Sequence, residues 1–176
     1  MTTGGVVAVV GNPNPGSRTL AIAELVARKV GALGAIDDAP RVIDVVECGP
    51  SLLQWGDPAA AALKAEVLDA GALVVASPTY KAAYTGLLKL FLDQFDAGEL
   101  HGIPTVAVMT GGSLAHALAV DVHLVPVLTE IGASCPARGL YLWGPELDAP
   151  EEPVERWFER AGPSLGRALA AGPGKR

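Results

Sequence analysis

Val6-Val7-Ala8-Val9-Val10-Gly11-Asn12-Pro13-Asn14-Pro15-Gly16-Ser17-Arg18-Thr19 joins three local preferences in fourteen residues. Its five leading residues are apolar and mostly β-branched. No polar residue alternates with them, so they predict a strand buried on both faces. The Gly/Pro/Asn stretch over 11–16 then breaks that strand. Ile22, Leu25, Val26, Val30 and Leu33 follow at helical spacing, and glycines 31 and 34 end the run. Strand, loop and helix in that order form the repeating unit of a parallel sheet.

The rest of the chain repeats the unit. A second strand is expected at 41–46 and a loop-like region at 47–58, where Gly49-Pro50 and Gly56-Asp57-Pro58 fall. A helix from about 59 stops at Gly71, and a third strand covers 72–76. Leu88, Phe91, Leu92 and Phe95 then stand at i, i+3, i+4 and i+7, one face of a helix, with Gly98 as its stop. After a fourth strand at 105–109, Gly111-Gly112-Ser113 opens a long apolar helix reaching about 131. Pro126 should bend it, because it removes the bond to the Val122 carbonyl. A fifth strand at 137–143 precedes a last helix that begins near Pro150-Glu151-Glu152. Val154, Trp157, Phe158 and Ala161 form its buried stripe.

Apolar strands alternating with helices imply an α/β fold with helices on both faces of a parallel sheet. Right-handed crossovers leave a five-stranded sheet of order 2-1-3-4-5, a flavodoxin-like three-layer sandwich, as the simplest topology. The expectation is one domain over 1–176, with 170–176 as a flexible tail.

Composition narrows the function. A chain of 176 residues, half of them hydrophobic, can bury a full core and is neither disordered nor fibrous. No apolar run approaches the roughly 20 residues of a membrane span, and no basic segment precedes the first valine run, so neither a membrane nor secretion is expected. Cys48 and Cys135 make no disulfide framework or zinc quartet and read as small apolar residues. Thirteen Lys and Arg against nineteen Asp and Glu give a net charge of −6, the wrong sign for a nucleic-acid partner. The expected compartment is the cytoplasm.

Ligands of such sheets bind beyond the carboxyl ends of the strands, which brings 11–19, 77–84 and 110–116 into view. The first loop holds neither standard nucleotide fingerprint. It offers Ser17, Arg18, Thr19 and a helix start, a combination that suits a terminal phosphate. Ser17 as a simple helix cap explains the same residues. In Ser77-Pro78-Thr79-Tyr80-Lys81, proline stiffens the turn so that neighbouring N–H groups face outward. Tyr80 there either lies against a flat ligand or packs in the loop, and Lys81 either neutralises charge or is solvated. Thr110-Gly111-Gly112-Ser113 lets backbone approach a ligand, or is a tight turn capped by Ser113. His116 and His123 stand two turns apart, too far for the adjacent-turn pair of a metal helix.

Taken together these residues resemble a known family. Gly11-Asn12-Pro13 with Ser17-Arg18-Thr19 is similar to the GSPxxxSxT phosphate loop of the NAD(P)H-dependent FMN reductases. The stretch from Pro78-Thr79-Tyr80-Lys81 through Tyr84-Thr85-Gly86 to Leu88-Lys89 resembles their PxYxxxYxGxLK segment. Thr110-Gly111-Gly112-Ser113 with Ala115-His116, and Leu118-Ala119-Val120-Asp121, resemble their TGGxxAH and LAxD stretches. The resemblance runs over about 5–135 and is nearest to the reductase of two-component alkanesulfonate monooxygenase systems.

The resemblance implies FMN and NAD(P)H as cofactors. FMN phosphate would sit on Ser17, Arg18 and Thr19, and the ring between Pro78-Thr79-Tyr80-Lys81 and Thr110-Gly111-Gly112-Ser113, with Asn12 and His116 also among the cofactor-binding residues. Hydride would pass from nicotinamide to flavin N5 by alignment of the two rings, so no catalytic side chain or metal is implied. A flavin-dependent monooxygenase as recipient of reduced FMN, and a homodimer or homotetramer, are implied as well. A quinone, azo or metal-ion reductase with tightly bound FMN, or a flavodoxin-like electron carrier, are the alternatives on the same scaffold. Two positions depart from the family. Asn12 replaces a serine, and Val122 replaces a tyrosine that goes with an inserted helical turn.

Overall fold

The computed structural model describes residues 4–174. Its strands are β1 (Val6–Val10), β2 (Arg41–Asp44), β3 (Ala72–Pro78), β4 (Thr105–Gly111) and β5 (Leu140–Trp143). They pair in parallel in the order β2-β1-β3-β4-β5, as expected from the strand–helix alternation. All five β1 residues are buried. Alternate β1 side chains serve opposite cores, Val7 and Val9 on one face, Val6, Ala8 and Val10 on the other. This two-sided burial is why the strand reads as an unbroken apolar run.

One face is covered by α1 (Arg18–Gly34) and α5 (Glu151–Ala171), which bury Ile22, Val26 and Val30 against Val154, Trp157 and Leu165. The other is covered by α2 (Pro58–Leu68), α3 (Gly86–Leu92) and α4 (Val125–Glu130), through Val67, Leu88, Phe91 and Leu128. The free edge of β5 is closed by carboxylates. Asp121 accepts the Gly139 N–H at 2.8 Å and Glu146 the Trp143 N–H at 3.3 Å, which blunts an otherwise open pairing edge.

The long helix expected after Ser113 is three pieces. A 3₁₀ turn over Leu114–His116 leads to a π turn over Val120–Leu124, and only then to α4. Pro126 stands in the first turn of α4, where its missing N–H leaves no bond broken. The wide turn upstream absorbs the bond that Pro126 cannot make to Val122. Buried Val120, Leu124 and Leu128 keep one apolar face across the junction, so the sequence periodicity survives the change of winding. Val122 lies inside the π turn.

β2 is shorter than expected. It gives way to a 3₁₀ segment, Val45–Leu53, interrupted at Gly49 with φ +51°. At the other end α5 continues to Ala171, and the Gly174 N–H donates to the His101 carbonyl at 2.6 Å. Of the segment expected to be a loose tail, 175–176 lie outside the described residues. No helix among the described residues is long and apolar enough to cross a membrane.

Candidate functional site

The three loops at the carboxyl ends of β1, β3 and β4 are joined by buried polar bonds. Thr19 and Thr110, 91 residues apart, share a hydrogen bond of 2.9 Å between their hydroxyls. Asn12 Nδ2 donates to Thr19 Oγ1 at 3.2 Å, and Asn12 Oδ1 accepts the Asn14 N–H at 3.0 Å. Asn12, Thr19 and Thr110 are all buried. Thr85, the N-cap of α3, donates its hydroxyl to the Gly11 carbonyl at 2.5 Å and accepts the Leu88 N–H at 3.1 Å. The Thr79 N–H donates to the Thr110 carbonyl at 2.6 Å. First loop is thus tied to second and third, and second to third.

Above this buried layer Arg18, Tyr80, Lys81 and Gly112 are exposed. Ser17 is the N-cap of α1, its Oγ accepting the Leu20 N–H at 3.2 Å. The N–H groups of Arg18 and Thr19 have no partner among the described residues, which leaves a positive helix end at the surface. Arg18 is exposed and reaches across to Asp148, 2.8 Å away in the loop after β5. An exposed pair of this kind is worth at most about 1 kcal/mol, so the guanidinium can leave it readily. Burial raises the Asp44 carboxyl above the ordinary carboxylate range, and the N–H groups of Gly16 and Val46 pull it the other way. One Asp44 oxygen has no partner.

The second loop is a two-residue hairpin turn. Tyr80 and Ala83 exchange backbone bonds of 2.8 and 3.1 Å. Lys81 and Ala82 between them both have positive φ, 52° and 65°. Such a turn normally uses Asn and Gly, so this one carries backbone strain at the rim of the site. Tyr80, half of its surface free, and Lys81 stand at the tip, and Pro78 ends β3 beneath them. Contrary to the sequence reading, the Thr79 N–H faces inward to Thr110. Its hydroxyl oxygen is buried with no partner.

The glycines divide by function. A Cβ on Gly11 would overlap Leu88, so that glycine serves the packing of α3 on β1. A Cβ on Gly111 would overlap the Tyr141 phenol oxygen. Gly112, and Gly16 in the first loop, have nothing within 4 Å of a built Cβ. Ser113 caps the following turn, accepting the Ala115 N–H at 3.2 Å, and His116 is exposed at the end of that turn. In the sequence Asp44 and Tyr141 carry no sign of a role, and Asp148 reads as part of the start of the last helix. Thr85 stands inside the family-like segment, a Thr immediately before a helical run.

A groove of about 600 Å³ lies elsewhere, between β5, α5 and the turn at 117–121, lined by Asp121, Arg138, Tyr141, Arg156, Trp157 and Arg160. Its Arg138 is paired with Asp121 and its Arg156 with Glu146 and Glu152. The chemistry favours the loop rim, where unpaired backbone donors, a cation and an open glycine meet. Cys48 and Cys135 are free and packed against the core. Burial pushes the Cys135 thiol up to about 11.

The donors at the loop rim fit FMN. The α1 end with Ser17 and Arg18 suits its phosphate, and the unpartnered Thr79 hydroxyl and open Gly112 suit the polar edge of its ring. Comparison with known proteins points to the same cofactor. The family described as NADPH-dependent FMN reductase matches residues 5–146. An FMN reductase (NADPH) of Pseudomonas aeruginosa is 33% identical over 173 residues, 92% of either chain. An FMN reductase (NADPH) of Escherichia coli is 32% identical over 139 residues, 77% of this chain and 71% of the relative. The apo crystal structure of an NADH:FMN oxidoreductase superposes with a TM-score of 0.79 at 32% identity, over 98% of this chain and 92% of that one.

Proposed function

The chain belongs to the NADPH-dependent FMN reductase family, and from that premise we propose that it is an NAD(P)H:FMN oxidoreductase working at the rim of its three joined loops. The observation that carries this reading is the pair of buried links, Thr19 to Thr110 and Thr85 to Gly11, which hold those loops at one end of the sheet. FMN supplies the redox chemistry when bound, accepting hydride from nicotinamide at N5.

The protein's part is placement. Ser17, the first N–H groups of α1 and Arg18 hold the phosphate, Arg18 moving off Asp148 to do so. Tyr80 covers one side of the ring, and Gly112 with the N–H groups beside it receives the polar edge. Asn12, Thr19 and Thr110 work from below, keeping the loops in register, with Lys81 and His116 at the rim as its outer charged and polar groups. No side chain is required to move a proton in the hydride step.

Reduced FMN passes to a flavin-dependent monooxygenase in this reading. Leu114, Leu118 and Val122 are each more than half exposed at four-residue intervals, which supports assembly of copies through that stripe into a dimer or tetramer. The test is oxidation of NADPH and NADH with added FMN. Turnover well above the protein-free rate is expected, and turnover at that rate refutes the proposal.

A further inference from the structure

We infer that Tyr141 is a positioning residue for the flavin ring, its phenol turning the Ser113–Leu114 peptide so that the Leu114 N–H faces the rim as a donor to the ring's carbonyl edge. This rests on the reductase reading above. Tyr141 lies on β5 beside Met109 of β4 and packs on the core that Met109 and Val75 share. Its side chain passes Gly111 and donates Oη–H to the Ser113 carbonyl at 2.9 Å. Glycine at 111 is what lets it pass, since a Cβ would overlap Oη and stand 3.0 Å from Cζ. The His116 N–H reaches the same carbonyl at 3.4 Å, so the oxygen is held from two sides.

A peptide unit is planar and trans, so its C=O and N–H point in opposite directions. With the Ser113 carbonyl turned toward Tyr141, the Leu114 N–H is turned away from it. That N–H has no acceptor among the described residues. Gly112, two residues before it, borders open space. A donor fixed in advance costs less to engage than one ordered on binding.

The experiment titrates FMN and riboflavin, by flavin fluorescence, into the wild-type protein and Tyr141→Phe, with thermal melts of both flavin-free proteins. Phenylalanine keeps the packed ring and deletes only the hydroxyl. Both flavins should weaken by the same factor, about 3- to 10-fold for one net hydrogen bond, and the visible band of the bound flavin should shift. Unchanged affinity for both flavins overturns the inference, whatever happens to the melting temperature. So does a loss confined to FMN, which would place the effect at the phosphate end. A wild-type protein that binds neither flavin refutes the reductase reading itself, and the inference with it.

Discussion

Asn12, Thr19, Thr85 and Thr110 are buried and commit their polar atoms to one another or to backbone, whereas Arg18, Tyr80, Lys81 and Gly112, a few residues away along the same loops, are open to solvent. The two groups are interleaved in the sequence, within the same loops that follow strands. Their physical tasks differ. The buried tier fixes where the loops stand, and the exposed tier presents the groups that meet a ligand. A change in the first should lower stability and carry flavin binding down with it; a change in the second should alter binding alone.

The largest expected effect breaks the scaffold outright. Gly11→Ala drives a Cβ into Leu88, with the Leu88 Cα only 2.8 Å away, so backbone must shift. A loss of about 3 kcal/mol is expected in urea denaturation. Thr110→Val keeps the shape and removes the hydroxyl that meets Thr19, leaving the buried Thr19 hydroxyl on its bond from Asn12 Nδ2. That should cost about 2 kcal/mol and weaken FMN and riboflavin together.

Arg18→Ala probes the exposed tier. Its pair with Asp148 is solvent-exposed, so melting should hardly move, while FMN affinity falls by about 1.5 kcal/mol with riboflavin unaffected. Equal loss for both flavins would contradict the assignment of Arg18 to the phosphate. Ala82→Gly relieves a positive φ of 65° and should stabilise the protein by about 1 kcal/mol in the same urea assay.

The smallest effect concerns Asp44. Burial holds its carboxyl above the unfolded value, so the folded state binds more protons between the two values and stability falls as pH rises through that window. Asp44→Asn should therefore melt higher than wild type at pH 7. The advantage should vanish below the ordinary carboxylate range, as read from melting curves against pH.

Much of the fold was legible because its signals are local. The unbroken apolar run of β1, the i, i+3, i+4, i+7 face of α3 and the alternation of strand with helix each follow from neighbouring residues, and crossover handedness then orders the sheet. The winding of 114–130 was not legible, because buried Val120, Leu124 and Leu128 satisfy the same periodicity in α, π or mixed turns. Pro126 marked the place without specifying the remedy. The site loops were found for the same local reasons, and the family resemblance assigned scaffold and rim residues alike to the cofactor. The partner of Thr19 is 91 residues distant, and the occupant of the space over Gly111 comes from β5, so no spacing rule separates scaffold from rim. Lys81 and Ala82 hid their left-handed turn by lacking the glycine or asparagine that announces one.

FMN lies either on the loop rim or in the groove beside β5, and amide chemical shifts of the ¹⁵N-labelled protein during FMN titration distinguish the two most directly. Shifts concentrated at 11–19, 77–84 and 110–116 are the expected result. Shifts concentrated around Arg138, Arg156 and Arg160, in the groove beside β5, would contradict it.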